Sequence, residues 1–234
     1  MNGARRAYHH LWPVLVLAVA GLLAWLAMLP AVDALARQAL WIHALQSAAL
    51  HHLVPMLLVR TWCGSAVSTA RTRAPAAALQ CGAAAVFGLL TVFWMLPTMH
   101  LRLMLSDECY TLMNWSMLLS GIWFFSQCRR DMSSRALLVL AGAPQAAMGL
   151  TLTLSDPIYA VQMALCRSAP QPGIALIQTM LRDALRPEQD QLLAGTLFLL
   201  SSSLFIFSGL ASCPRSQQYC GGAVSDGDSP KTSL

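Results

Sequence analysis

Charge is scarce in this chain. Asp, Glu, Lys and Arg make up 11% of its 234 residues, against 56% hydrophobic, where a soluble domain carries roughly 25% charged residues. Lysine is nearly missing, with Lys231 the one lysine among 15 basic residues. The charges are also absent in blocks. No charged residue occurs between Arg6 and Asp33, Arg37 and Arg60, Arg73 and Arg102, Glu108 and Arg129, Arg135 and Asp156, or Asp190 and Arg215. A helix rises about 1.5 Å per residue, so roughly 20 apolar residues cross a bilayer core. The runs predict an all-α, polytopic membrane helix bundle of about six transmembrane helices, with spans near 11–30, 39–59, 76–97, 109–128, 136–155 and 191–212. They leave no room for a separate soluble domain.

Other absences narrow the chemistry. There is no Gly-rich phosphate loop and no Ser-His-Asp or Cys-His arrangement, so no catalytic turnover is expected. No pair of carboxylates lies inside a span. Asp and Glu are confined to loops, span ends and the tail, which argues against a pump or secondary transporter. The seven cysteines include no closely spaced pair of the kind that holds zinc. The formal charge of +5 comes from arginines beside apolar runs, which points to membrane topology rather than to nucleic acid.

Those arginines sort by side. Arg5 and Arg6 precede the first span, Arg60, Arg71 and Arg73 follow the second, and Arg129, Arg130 and Arg135 follow the fourth. The alternate loops hold Arg37 with Asp33, and Arg102 with Asp107 and Glu108. The positive-inside rule then places both termini in the cytoplasm. Cys63, Cys128, Cys213 and Cys220 fall on the reducing side, which excludes a disulfide framework. A signal peptide ending near Ala34-Leu35-Ala36 is the rival reading of the N-terminus, but the apolar stretch from Leu11 to Pro30 is long for one. In the outward loop 156–190, Ile174, Ile177, Leu181 and Leu185 form a helical stripe suited to the membrane interface, ended by Pro187. Residues 213–234 are too polar to fold and read as a disordered cytoplasmic tail.

Two clusters could carry chemistry. Span two holds His43, Gln46, His51 and His52, and polar groups in a lipid-spanning helix usually face the bundle interior. At about 100° per residue, His43 and His51 lie about 80° apart, whereas His52 points away from His43. Pro55 removes a backbone hydrogen bond and can kink the helix. Interhelical hydrogen bonding and ligation of a metal or haem both remain open for these histidines. The second cluster gathers at the outward ends of spans three and four. Met95 and Met99 are one turn apart, His100 and Met104 follow in a short outer loop, and Cys109, Met113 and Met117 descend the next helix. Thioether, thiol and imidazole suit Cu(I), although methionine is also an ordinary packing residue. Asp190, opening span six, is placed to cap that helix.

Several short motifs resemble those of the CtaG family, membrane proteins that assist assembly of haem–copper cytochrome c oxidases. His43-Ala44-Leu45-Gln46 with Pro55 matches the family's His-Met-x-Gln-His helix and its prolines, with Ser47 in place of the second His. Trp94-Met95-Leu96-Pro97 stands for Trp-His-x-Pro, and Met113-Asn114, with Gly121 further on, for Glu-His and its glycine. Pro144-Gln145 through Gly149, Ser155-Asp156-Pro157-Ile158-Tyr159, and Asp190-Gln191 through Gly195 follow in the family's order. The resemblance covers about 40–212. It implies an assembly factor that meets cytochrome c oxidase subunits within the lipid bilayer, handles copper, needs no nucleic acid, and can self-associate. Taken with the soft cluster at the outward ends of spans three and four, it makes His43, Met95, Met99 and His100 the expected Cu(I) ligands, with Cys109 and Met113 as further candidates. Three family histidines are Ser47, Met95 and Asn114 here, so a site would be rebuilt with softer ligands or be reduced to a scaffold. A b-type haem electron-transfer protein and a structural subunit of a respiratory complex are the alternatives.

Overall fold

The computed structural model describes residues 2–65, 77–128, 135–159, 179–180 and 185–211. Among them every regular element is helical. Helix α1 spans Asn2–Ala27 and α2 Pro30–Ala36. Leu29 is extended, the conformation favoured before proline, and Pro30 opens α2 at a position where its missing N–H costs nothing. The result is a 60° bend between the two helices. A second proline repeats the device. Leu96 is extended and Pro97 opens a separate helix, so α5 (Ala77–Met95) stops and α6 (Pro97–Leu105) turns away. The short outer loop expected around His100 is therefore helical.

The expected second span is a composite of α3 (Leu40–Ala48), a π-helical turn (Ala49–Leu53) and α4 (Val54–Ser65). The kink expected at Pro55 is thus taken up by a widened turn just before the proline ring. Helix α7 (Asp107–Cys128) crosses at this point. A Cβ on Gly121 would lie 2.5 Å from the His51 carbonyl oxygen and 2.6 Å from Pro55 Cγ, so only glycine permits the approach. Helix α8 (Arg135–Leu154) and α9 (Pro187–Ala211) are the most extensively packed pair among the described residues. Their crossing is set by Gly149 and Gly195, where a Cβ on either would lie within 3.0 Å of the other's carbonyl oxygen.

Three helical segments are long and apolar enough to cross a membrane: Leu40–Thr61, Ala77–Met95 and Ala136–Leu154. The bent α1–α2 pair makes a fourth if it counts as one span. Helices α7 and α9 stand where the fourth and sixth apolar runs fall, but they carry more amide and hydroxyl side chains. Apolar length alone therefore supports up to four spans among the described residues rather than six. Residues 66–76 and 129–134 of the loops expected to be cytoplasmic, most of the interfacial stripe 174–185 and the tail 213–234 lie outside the described residues.

The interior divides in two. Toward the end bearing the C-termini of α4 and α7 it is aromatic and aliphatic: Phe87, Phe124, Phe125, Leu137 and Leu138 pack together. The opposite half holds two clusters, one of Leu40, Ala44, Met95, Leu152, Tyr159 and Phe198, the other of Ala36, Trp94, Leu103, Tyr110, Met113 and Met117. Most of the buried polar groups lie between and beside these two.

Candidate functional site

Asp190 is not an ordinary cap of its own helix. From the first turn of α9 its carboxylate accepts the backbone N–H groups of Leu40 at 3.1 Å and Trp41 at 2.9 Å. It therefore caps α3, whose own residue at that position, Ala39, has no side-chain oxygen to offer. This pins the start of the histidine-bearing helix to α9. Gln191 fixes the next layer. It donates to the carbonyls of Leu152 at 3.0 Å and Asp156 at 3.2 Å and accepts the Ile158 N–H at 2.7 Å. Tyr159 is held beside them by its hydroxyl, which donates to the Met95 carbonyl.

With those elements fixed, a polar line crosses the bundle interior. Gln46 donates to the Ala27 carbonyl and to Asp33 Oδ1, both at 2.6 Å. Asn114 donates to the same Asp33 oxygen at 3.2 Å. The Tyr110 hydroxyl donates to Gln46 Oε1 at 2.7 Å and lies 3.0 Å from His43 Nδ1. The His100 ring meets His43 edge-on at 5.1 Å between centroids, and Tyr159 closes the other side at 4.6 Å. At the opposite end of the line, Asp33 opens into a cleft of about 400 Å³ lined by Arg37, Asp107 and Thr111. Arg37 pairs with Asp107 at 2.7 Å and rests 4.7 Å over the Tyr110 ring.

His100 is the anomaly. Its side chain is fully buried, and neither ring nitrogen has a hydrogen-bond partner. Burial, and the His43 ring beside it, hold it well below the ordinary histidine range, so it stays neutral. A buried polar group without a partner is costly unless something else meets its lone pair. His51 is the contrast. Thr91 lies 3.2 Å from Nδ1 and Ser120 lies 3.1 Å from Nε2, so both of its nitrogens are engaged within the bundle. His52 Nε2 is held by Gln145 Oε1 at 2.8 Å. These two histidines bind helix to helix.

The other expected ligands, and Met104 beside them, lie on α5, α6 and α7. Met99 precedes His100 on α6 and is partly buried. Met113 is fully buried beside Tyr110, with Cys109 at the edge of that cluster, and Met104 is buried on α6. Met95 lies on the far side, in the cluster that contains Tyr159. Tyr110 and Asp33 are participants that sequence reasoning missed. Tyr110 sits beside Cys109 without any motif to mark it, and Asp33 reads only as a loop charge. Among the described residues, no three His, Cys, Asp or Glu side chains converge in a way that could hold a metal ion. A metal at His43 and His100 would have to accept few donors or take thioethers. That fits Cu(I) and does not fit a four-ligand zinc site.

A family model matches residues 2–213, nearly the whole chain. The chain belongs to the Caa3_CtaG family, the cytochrome c oxidase caa3 assembly factors. No curated protein and no solved structure matches it. The Caa3_CtaG membership gives meaning to the short motifs. Gly121, Gln145, Gly149, Asp190, Gln191 and Tyr159 each make an interhelical contact that fixes the frame, whereas His43, Gln46 and Asn114 belong to the polar line. Asn114 is hydrogen-bonded to Asp33.

Proposed function

We propose that this chain assists assembly of a caa3-type cytochrome c oxidase by holding Cu(I) and passing it on at the outward face of a bacterial inner membrane. The observation that carries the reading is His100, buried without a partner for either nitrogen and set edge-on to His43. Cu(I) is cargo here, and the chain performs no turnover. His43 and His100 supply imidazole donors, and Met99, Met104, Met113 and Cys109 supply soft groups within the same half of the bundle. Met95 contributes to the wall behind Tyr159. We place six helices across the bilayer with both termini inside, which puts the His100 end outward, where the partner subunits of the oxidase would receive the ion. The haem alternative would have to displace the bonds of both His51 nitrogens to Thr91 and Ser120, and at His52, whose Nε2 is held by Gln145, it would have only Nδ1.

Deletion of the gene should lower cytochrome oxidase activity while oxidase transcripts stay normal, and excess copper in the medium should partly restore it. Mass action can replace a delivery step but not a missing structural part. His43→Ala and His100→Leu should behave like the deletion. Normal oxidase activity in the deletion strain under copper limitation would refute the assembly role. Loss that copper never relieves would refute the delivery role.

A further inference from the structure

The partners of Gln46 and Tyr110 admit a single consistent set of proton positions. The Ala27 carbonyl can only accept, so the Gln46 atom 2.6 Å from it is the amide nitrogen. That nitrogen gives its second hydrogen to Asp33 Oδ1. The amide oxygen must then face Tyr110, whose hydroxyl has one hydrogen and gives it to that oxygen at 2.7 Å. Toward His43, 3.0 Å away, Tyr110 has only lone pairs left. His43 Nδ1 must therefore carry a hydrogen and donate it.

We infer that the Asp33–Gln46–Tyr110 chain locks His43 in its Nδ1–H tautomer and so makes Nε2 the nitrogen that binds a metal ion. The ligand half of this inference rests on the proposed copper role, whereas the proton half rests on hydrogen-bond chemistry alone. Asp33, Gln46 and Tyr110 are positioning residues. A ligating imidazole that donates its other N–H to an oxygen is oriented and made more basic. Here the acceptor is a phenol oxygen rather than a carboxylate, and the carboxylate comes at the far end of the chain, in the cleft. The lock is reinforced from both sides. Asn114 gives Asp33 a second donor, and the Arg37 guanidinium over the ring holds Tyr110 in place. The same reasoning gives His51 the opposite tautomer. The Ser120 hydroxyl donates to the Met117 carbonyl at 3.0 Å, so its oxygen accepts from His51 Nε2–H, and Thr91 donates to Nδ1. Two histidines on one composite helix thus carry their protons on different nitrogens, and only His43 is left with an Nε2 lone pair.

The test is a two-bond proton–nitrogen correlation spectrum of the full-length chain in detergent micelles, with nitrogen-15 in its histidine rings. The His43 signals are identified by their loss in His43→Ala. The wild type should show His43 protonated at Nδ1 and bare at Nε2. Tyr110→Phe keeps the ring under Arg37 but removes the hydroxyl. In that variant His43 should move to the Nε2–H form or a mixture, and anaerobic Cu(I) affinity, measured by competition with a colorimetric chelator, should fall about 10–100-fold. A wild-type His43 carrying its proton on Nε2 overturns the inference, and that spectrum decides even if Tyr110→Phe fails to fold. An unchanged tautomer in a folded Tyr110→Phe also overturns it. A wild-type chain that shows the Nδ1–H form but no Cu(I) affinity upholds the proton assignment and removes the copper role.

Discussion

At the scale of single residues, the interior histidines separate by what their nitrogens touch. His51 and His52 are joined to neighbouring helices, and His43 is joined through Nδ1 to a relay. His100 is joined to nothing within the described structure. A group kept in that state without cargo weakens the fold it sits in. Replacing an unpartnered buried polar side chain by an apolar one of similar size should therefore stabilise the copper-free protein. His100→Leu is expected to raise thermal stability in detergent by about 1 kcal/mol while abolishing copper retention. His51→Leu should do the reverse, lowering stability because the hydroxyls of Thr91 and Ser120 lose their ring partner, and leaving copper retention intact. A His100→Leu protein that is less stable than wild type would show that His100 serves the fold. Sequence reasoning could pick His43 and His100 as polar groups in apolar surroundings. It sets them apart from His51 by their level near one membrane face, whereas the difference in bonding lies in Thr91, Ser120 and Tyr110, which come from other helices.

At the scale of elements, proline placement was legible and its consequences were only partly so. The breaks at Pro30 and Pro97 follow from backbone rules. That the nine residues after Leu96 form a helix, and that Pro55 is relieved by a π-helical turn, depend on packing that no local pattern records. Asp190 makes the same point. Its position near a helix start suggests a cap of that helix, but its carboxylate serves α3, 150 residues earlier in the chain. Asp190→Ala should cost about 1–3 kcal/mol of stability, because two buried N–H groups lose their acceptor. Asp190→Asn, which keeps one side-chain oxygen, should cost less. Gly121→Ala should cost a comparable amount by forcing α7 off the His51 carbonyl. Thermal unfolding of the three variants in one detergent checks both expectations. Equal stability of Gly121→Ala and wild type would mean that α7 does not approach the π-turn this closely.

At the scale of the whole molecule, the apolar runs and the ordered motifs carried the helical class and the family. The number of crossings is harder to read, since α7 and α9 are long but only moderately apolar. Fusions after residue 65, after 132 and at the C-terminus should be active only with a cytoplasmic reporter, and fusions near 104 and 175 only with an external one. A cytoplasmic reporter active at 104 would place His100 on the wrong side for delivery to an outward copper centre. The polar line from the Asp33 cleft to His100 ties α2, α3, α6 and α7 into one device, so its function is a property of the assembled bundle rather than of any segment.

The most direct test of that device is an anaerobic Cu(I) titration of the purified full-length chain, read by metal content after removal of loosely held ion. The wild type should retain Cu(I), and His43→Ala and His100→Leu should each lose it, whereas His52→Leu should retain it. Equal retention by the wild type and both the His43 and His100 variants would contradict a copper site at this pair.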